Sequence, residues 1–336
     1  MTKRRLFVSL IIALLVELPT VTVAQIVTSK VYGDGSTYCA FTSLIKKDSI
    51  YYLAFREAQT HVSEGDFGVI KILKSVDGEK WDVFQTISKP NVDLRDPNLS
   101  VSPKGTVILL CGARIKHNQG YYITKTLFAD MKRGRFSSLQ NISLPDSLDD
   151  KYCAWCWRLS WIGKTGYAIE YQHYGKNQKV DLLKTKDGKK YKWLASLDVP
   201  NVPSEGVVRA NEKGMMTAIV RTAKNGYIGH STYPYKQWQW KEIPMFVGGH
   251  DVSIEDYKFV CASRKHTSQG SKTCVYYGSP NNNPFSRNVL LPSGGDTGYC
   301  SVLKVEDEWW VSYYSSHESQ KPSIFLAKIP DEILNF

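Results

Sequence analysis

The stretch from Pro203 to Gly226, PSEGVVRANEKGMMTAIVRTAKNG, contains two apolar segments that are separated by a polar turn. Glu205 stands at the start of the first segment, and Arg221 stands at the end of the second. Because antiparallel neighbours run in opposite directions, these two positions fall at the same end of a hairpin. The stretch therefore predicts a hairpin that presents an acid and an arginine at one rim, a combination suited to an anionic ligand.

The second half of this stretch belongs to a pattern that recurs along the chain. In each copy a polar turn leads into a short apolar or aromatic segment; the copies end at Arg56, Arg114, Gln172, Arg221, Arg264 and near His317. Copies about 40 to 60 residues apart are too widely spaced for the hairpins of one sandwich. They are typical of propeller blades, so the sequence predicts an all-β, six-bladed β-propeller of four-stranded antiparallel blades. An ordinary all-β meander is the alternative.

A second series of residues marks the strand before each copy. Its members lie 13 to 18 residues ahead of the ends given above and are Tyr38, Asp96, Trp155, Glu205, Asp251 and Tyr299. The first strand of every propeller blade lines the central axis, so we expect these six residues to ring one mouth of the channel. The loop 60–67 is expected at the same face. No linker interrupts the series, and residues 25–336 are predicted to form a single domain.

The N-terminal residues have the pattern of a targeting segment. A basic start, Lys3 to Arg5, precedes the apolar segment 6–16, and small residues follow at 21–24. This order predicts a cleavable signal peptide at 1–24 and hence a secreted or periplasmic protein. A membrane anchor is the alternative, but the apolar segment is short for a span and Glu17 follows it directly.

Charge and cysteine content narrow the classes of partner. The formal net charge is +11, of which +9 remains on residues 25–336, and such a basic field favours capture of anionic ligands. The lysines are scattered and the export signal argues against nucleic acid.

Seven cysteines leave at least one unpaired, and Cys261 with Cys274 is the best candidate for a disulfide. A single CxxC at Cys153 and Cys156 supports a metal site only weakly, so neither a metal nor a cofactor is predicted.

Two turns carry a more specific signature. Ser75-Val-Asp77-Gly78-Glu-Lys-Trp81 resembles the Asp box, the hairpin found between the outer strands of sialidase blades. Residues 185–191 form a looser copy, and residues 231–238 a degenerate one. In such a turn the aspartate accepts backbone amides and the glycine takes a positive φ. Asp boxes also occur in propellers without enzymatic activity, so they support the fold more than the function.

The order of further motifs extends the resemblance. Arginines, an acid and a tyrosine follow one another as in successive sialidase blades: Arg56, Glu205 with Arg221, Arg264, and Tyr299 within Gly298–Leu303. Over about residues 30–330 the chain therefore resembles the sialidase (neuraminidase) superfamily. It departs from the usual Arg-Ile-Pro motif, because Glu57 and Ala58 follow Arg56.

The resemblance implies an exo-α-sialidase that hydrolyses terminal sialic acid with retention through a tyrosyl-enzyme intermediate. Tyr299 would be the nucleophile, since sialidases use tyrosine where most glycosidases use a carboxylate. A phenol needs a base to remove its proton, and Glu205 is the candidate. Asp66 is expected to be the general acid, with Glu64 and His61 as competitors.

The remaining predicted site residues concern substrate binding. Arg56, Arg221 and Arg264 would bind the substrate carboxylate, because guanidinium groups are permanently charged and fork onto carboxylate oxygens. Three aspartates are expected to hold arginines or sugar hydroxyls: Asp96, Asp251 and Asp296. Two other classes stay open, a propeller glycosidase acting on another acidic or neutral terminal sugar and a glycan-binding propeller without activity. A base beside a phenol argues against pure binding.

Overall fold

The computed structural model describes residues 24–146, 148, 153–174, 177–255, 257–280 and 282–336, without the side chains of 173, 174, 177, 282 and 283. Residues 1–23 of the predicted signal peptide lie outside these ranges. Strands dominate the described chain, and the all-β prediction is confirmed. Within the same ranges no helix has the length and apolar character that a bilayer crossing requires.

The strands follow one another in chain order, separated by turns and loops. They are β1 (Val27–Tyr32), β2 (Tyr38–Lys47), β3 (Ile50–Ala58), β4 (Val69–Ser75), β5 (Asp82–Ile87), β6 (Val92–Val101), β7 (Val107–Lys116), β8 (Tyr122–Lys132), β9 (Arg135–Phe136), β10 (Gln140–Asn141), β11 (Cys153–Ile162), β12 (Thr165–Tyr174), β13 (Asn177–Thr185), β14 (Tyr191–Leu197), β15 (Gly206–Ala210), β16 (Met216–Val220), β17 (Tyr227–Ser231), β18 (Gln239–Glu242), β19 (Asp251–Glu255), β20 (Lys258–Thr267), β21 (Gly270–Ser279), β22 (Asn282–Leu290), β23 (Thr297–Val305), β24 (Glu308–Ser315) and β25 (Ser323–Pro330). A short helix, α1 (Asp331–Leu334), follows β25.

Consecutive strands pair into antiparallel sheets. Strands β2 to β5, β15 to β18 and β19 to β22 each form a four-stranded sheet in chain order. Strands β6 to β8 and β11 to β14 belong to one larger sheet, because Cys153 and Ala154 of β11 pair in parallel with Thr124 and Lys125 of β8. The remaining sheet has the order β1-β25-β24-β23, so an N-terminal strand completes a sheet made of C-terminal strands.

The first strands of these groups lie side by side. Each first strand contacts the first strand of the next group, in the order β2, β6, β11, β15, β19 and β23, and β23 in turn contacts β2. Apolar side chains fill the space between neighbouring sheets, as where Tyr52 and Ile72 of one sheet pack with Leu94 and Leu109 of the next. Burial of such faces is the main stabilising contribution in a fold with so little helix.

A shared bulge shapes four of the first strands. The register shifts between Ala40 and Ser43, Arg95 and Asn98, Cys156 and Leu159, and Gly298 and Ser301. Phe41, Asp96 and Tyr299 lie within these bulges with φ of 66°, 42° and 45°. Bulges re-aim side chains, and left-handed non-glycine residues are uncommon. The positions equivalent to Asp96 and Tyr299 are therefore Phe41 and Trp157, rather than the predicted Tyr38 and Trp155.

The predicted disulfide is wrong, although the hairpin that suggested it exists. In the β20–β21 pair Cys261 lies opposite Tyr276, while Cys274 lies opposite Ser263. All seven cysteines lie in the described ranges, and each is a buried free thiol. Sequence spacing located the hairpin but could not fix its register.

Two of the three predicted Asp-box turns share one set of hydrogen bonds. Asp77 Oδ1 accepts the amides of residues 79 and 80 at 2.8 and 2.9 Å, and Asp187 Oδ1 accepts those of residues 189 and 190 at 2.9 and 2.8 Å. The glycine after each aspartate has a positive φ, 70° and 74°. In the third turn Ser231 Oγ instead donates to Gln237 O at 2.6 Å.

Candidate active site

Glu205 and Tyr299 form the centre of a polar cluster at the ends of β15 and β23. The Tyr299 hydroxyl donates to Glu205 Oε1 at 2.5 Å, and Arg221 Nη1 donates to the same oxygen at 2.8 Å. Arg221 Nη1 also lies 3.4 Å from the Tyr299 hydroxyl. The second oxygen, Oε2, accepts the Gly249 amide at 2.9 Å. Both carboxylate oxygens are thus held, and one of them contacts the phenol.

The protonation states of the pair follow from these contacts. Burial would raise the pKa of Glu205, but Arg221, the Tyr299 hydroxyl and the Gly249 amide outweigh it and hold the pKa below its ordinary value. Burial and the nearby Glu205 charge raise the pKa of Tyr299 well above its ordinary value. At neutral pH the cluster therefore contains an ionised Glu205 carboxylate that accepts a hydrogen bond from the protonated Tyr299 hydroxyl.

Local backbone structure positions the cluster. Arg221 N donates to Glu205 O at 2.8 Å and Ser204 N to Arg221 O at 2.9 Å, which extends the β15–β16 hairpin and confirms the predicted pairing of acid and arginine. Gly249 has a φ of 57°, and a Cβ there would lie 2.5 Å from Tyr299 Cδ2. Only glycine allows this amide to reach Glu205 beneath the tyrosine ring.

A second polar cluster surrounds Asp296. Tyr314 donates to Asp296 Oδ1 at 2.8 Å, and Arg264 Nη2 lies 3.3 Å from the same oxygen. The Tyr38 hydroxyl donates to Oδ2, and His61 Nδ1 lies 3.3 Å from it. Although burial opposes ionisation, the contacts with His61, Tyr38 and Tyr314 lower the pKa of Asp296 to about 2. Asp296 is a fixed negative charge beside Arg264.

Arg264 links this cluster to Tyr299. Its Nε donates to Thr297 O at 2.6 Å, its Nη2 donates to the Tyr314 hydroxyl at 2.8 Å, and its guanidinium carbon lies 5.8 Å from the centre of the Tyr299 ring. The side chains of Arg221 and Arg264 are 31% and 21% exposed, so both can meet a ligand. The structure places two of the three predicted arginines next to Tyr299.

The third predicted arginine, Arg56, makes its polar contacts in the interior. Its Nε donates to Asp93 Oδ1 at 2.9 Å and its Nη1 to Thr60 O at 2.9 Å, and the side chain is fully buried. Nη2 lies 2.8 Å from Asp93 Oδ1 but out of line with its N–H groups, so it has no hydrogen-bond partner in the described part of the chain. Asp93 also binds Arg95 Nε at 2.7 Å. A Cβ at Gly68 would lie 2.3 Å from Arg56 Nε, so this pair needs that glycine.

The predicted acids on the 60–67 loop have partners of their own. Asp66 accepts the amides of Gln59 and Thr60 at 3.0 and 2.6 Å and the Thr60 hydroxyl at 2.8 Å. Burial would raise the pKa of Asp66, but these hydrogen bonds outweigh burial and lower the pKa. Glu64 is exposed and pairs with Lys116. Both carboxylates are ionised groups tied to neighbouring atoms.

The last two predicted aspartates occupy contrasting surroundings. Asp251 is buried, its Oδ1 pairs with Arg209 Nη2 at 2.6 Å, and its Oδ2 accepts the Val302 amide at 3.0 Å. Asp96 is half-buried, and no hydrogen bond or ion pair involves its carboxyl group among the described residues. Burial and the Glu205 charge raise the pKa of Asp96 to about 7.

Sequence reasoning missed several members of the site. Tyr314 and Asp93 were not singled out: Tyr314 lies near the end of β24 between Tyr313 and Ser315, and Asp93 lies at the start of β6, three residues before Asp96. The Gly248-Gly249 pair directly before His250 was a usable signal, since adjacent glycines mark close backbone approach. Within the described ranges no group of three or more His, Cys, Asp and Glu residues is arranged to hold a metal ion.

Comparisons with known proteins support the class of fold. No family model matches the chain, and no curated protein matches its sequence. A protein of unknown function from Dyadobacter fermentans is similar in structure, with a TM-score of 0.78, 18% identity, and coverage of 90% of this chain and 97% of that one. A Trypanosoma rangeli sialidase mutant displaying trans-sialidase activity has a TM-score of 0.67 at 12% identity; the match covers 92% of this chain and 59% of that longer chain.

A third similar structure is the α-L-arabinofuranosidase of Fusarium graminearum, with a TM-score of 0.64, 13% identity, and coverage of 91% of this chain and 96% of the enzyme. These likenesses define the chain as an all-β protein with a sialidase-like fold that also occurs in a glycosidase of different specificity. At such low identities they show the fold alone.

Proposed function

We propose that this protein is an exported exo-glycosidase that hydrolyses terminal sialic acid with retention, using Tyr299 as nucleophile and Glu205 as its base. The observation that carries the proposal is the 2.5 Å hydrogen bond from the Tyr299 hydroxyl to Glu205 Oε1, with Arg221 on the same oxygen. A buried carboxylate that accepts from a phenol is positioned to take its proton during attack.

The proposed reaction has two steps. Tyr299 Oη bonds to the anomeric carbon and passes its proton to Glu205, while the bond to the aglycone breaks and the leaving oxygen takes a proton from an acid. A water molecule then attacks the same carbon and gives its proton to the conjugate base of that acid. Tyr299 leaves with its electron pair and recovers its proton from Glu205. A neutral nucleophile suits an anionic sugar, because a carboxylate nucleophile would meet like-charge repulsion.

Arg221 and Arg264 would bind the substrate carboxylate. The bonds described above use Arg221 Nη1 and the Nε and Nη2 groups of Arg264. Among the described residues, no hydrogen bond involves Arg221 Nε, Arg221 Nη2 or Arg264 Nη1, so these groups would be available to a ligand. In this proposal Arg56 contributes long-range charge rather than a direct contact, since its side chain is fully buried.

We further propose that residues 25–336 form a single six-bladed propeller. The cyclic contacts of β2, β6, β11, β15, β19 and β23 support six blades around one axis, and the β1–β25 pairing supports closure of the last blade. The mouth of that axis would be the surface at which Glu205 and Tyr299 meet the glycan.

A different terminal sugar is the second candidate. Asp296 puts a negative charge 3.3 Å from Arg264 Nη2, which weakens this arginine as a carboxylate ligand and supplies an acceptor for sugar hydroxyls. The same reaction would then act on a neutral sugar, and the similar arabinofuranosidase gives one such class to test.

The test is a panel of 4-methylumbelliferyl glycosides that includes an α-sialoside and an α-L-arabinofuranoside. We expect release from the sialoside, and mass spectrometry of enzyme treated with a fluorinated sialosyl fluoride should find the sugar on the Tyr299 peptide. Tyr299→Phe should abolish labelling. Tyr313→Phe, which alters a buried tyrosine bonded to Pro292 O, is the matched control and should retain it. Release of only another sugar would favour the second candidate, and no release from any glycoside would contradict hydrolysis.

A further inference from the structure

We propose that Asp96 is the residue that donates the proton to the leaving oxygen in this reaction. The inference rests on the proposed glycosidase function and deepens it, because the resemblance to sialidases assigns this role to Asp66 on the 60–67 loop instead. Three independent features of Asp96 carry it: its position in the repeat, its lack of partners, and the charges around it.

The first feature is the position of Asp96 in the repeat. Asp96 occupies the same place in the β6 bulge that Tyr299 occupies in the β23 bulge, with φ of 42° and 45°. Strands β6 and β23 both contact β2, so one first strand separates them in the cyclic order. Equivalent backbone positions project their side chains at the same level. Asp96 is thereby directed to the end of the strands at which Tyr299 meets Glu205.

The second feature is the absence of partners. No hydrogen bond or ion pair holds the Asp96 carboxyl group in the described chain, and the side chain is half-buried rather than fully exposed. Asp66 by contrast accepts three hydrogen bonds, and Glu64 is paired with Lys116. A proton donor has to carry a proton and be free to turn toward the leaving oxygen. Of the three carboxyl groups Asp96 meets both conditions.

The surrounding charges give the third feature. Burial and the ionised Glu205 favour the protonated form of Asp96, while Arg95, Arg158 and Arg56 favour the ionised form. The balance leaves the pKa at about 7, where a group can both give and recover a proton near neutral pH. Glu205 and Asp96 thus have pKa values shifted in opposite directions, the arrangement expected of a base and an acid in one site.

Leaving-group dependence tests the role directly. Asp96→Asn and Asp66→Asn would be compared on a 4-nitrophenyl glycoside, whose aglycone leaves without a proton, and on the corresponding methyl glycoside, whose aglycone needs one. Asparagine tolerates a left-handed backbone, so Asp96→Asn should preserve the bulge. We expect Asp96→Asn to lose about 10²- to 10⁴-fold in kcat/KM on the methyl glycoside and far less on the nitrophenyl glycoside. Asp66→Asn should affect both substrates equally.

A readout without turnover separates this inference from the proposed function. In protein labelled with ¹³C at the aspartate carboxyl groups, the spectrum should contain one carboxyl that titrates near pH 7 and is missing from Asp96→Asn. Absence of that signal would overturn the inference, as would leaving-group dependence in Asp66→Asn rather than in Asp96→Asn. Inactivity of the unaltered protein on every glycoside would instead refute glycoside hydrolysis, and the role of Asp96 with it.

Discussion

Two buried glutamates in neighbouring sheets behave in opposite ways. Glu205, before β15, is 5% exposed, and its pKa lies below the ordinary value. Glu170, in β12, is fully buried, and burial together with Asp181 raises its pKa to about 8. The two differ in partners rather than in burial: an arginine and a phenol contact Glu205, whereas Glu170 lies opposite a second carboxyl group.

The surroundings of Glu170 are unusual for a buried acid. Its Oε2 accepts Gln172 Nε2 at 3.2 Å, and its Oε1 has no hydrogen-bond partner in the described chain. The neighbouring Asp181 accepts two hydrogen bonds at Oδ1, from Trp193 Nε1 at 3.0 Å and from Ser196 Oγ at 2.6 Å. Burial beside a second carboxyl group thus favours the neutral form of Glu170, whereas a contacting arginine, a phenol and a backbone amide keep the buried Glu205 ionised.

The largest expected difference between the two glutamates is in activity. Glu205→Gln removes the proton acceptor of Tyr299 and should lower kcat by about 10²- to 10⁴-fold. Glu170→Gln should change kcat by less than about threefold, because a neutral acid is replaced by its neutral isostere. Steady-state kinetics on one aryl glycoside decides the matter. Equal losses in the two variants would remove the distinction between them.

Gly249 tests how tightly the base is positioned. Gly249→Ala places a Cβ 2.5 Å from the Tyr299 ring and should displace it, with a loss of roughly 10²-fold in kcat. Gly120→Ala is the matched control, since Gly120 shares a positive φ of 86° but has nothing within 4 Å of the added Cβ. It should retain activity. If both variants are equally active, Gly249 does not set the position of Tyr299.

Removing the cation should convert Glu205 into a Glu170-like acid. Arg221→Met leaves the carboxylate buried without its partner and should destabilise the fold by roughly 3 kcal/mol. Adding Glu205→Gln should recover most of that loss, because the neutral amide needs no counter-charge. Chemical denaturation of the two single variants and the double variant measures the coupling. Additive losses would show that the ion pair contributes little.

Glu170 should make stability depend on pH in a defined direction. Its folded pKa, about 8, lies above its ordinary value, so the stabilisation is complete below about pH 4.5 and is lost as pH rises through 8. Relative to Glu170→Gln, the unaltered protein should therefore lose about 1–3 kcal/mol between pH 5 and pH 8.5. Unfolding curves of both proteins across this range test the sign. A constant difference would mean that Glu170 does not bind an extra proton in the folded state.

Much of the site was predictable because it repeats. Glu205 and Tyr299 lie 94 residues apart, yet both begin first strands, and the spacing of the repeat was enough to predict their meeting. The same logic placed Arg221 and Arg264. It predicted Arg56 at the same site, but Asp93, three residues before Asp96 in β6, binds this side chain in the interior.

Other features depended on geometry that no spacing encodes. The bulges shift β2 and β11 so that Phe41 and Trp157, rather than Tyr38 and Trp155, match Tyr299. A bulge adds one residue to one strand, and an apolar run of five to seven residues does not show where. The false Cys261–Cys274 bridge has the same origin, a shift of two residues within a correctly predicted hairpin.

The pairing of β1 with β25 has a consequence for biosynthesis. Val27 lies opposite Lys328, although about 300 residues separate them in the chain. The segment that leaves the ribosome among the first therefore has no place in a sheet until nearly the whole polypeptide has been made. Until then the backbone groups of β1 that pair with β25 are unpaired, and contacts of such long range form slowly. The last sheet of this protein is therefore completed only after its two ends have met.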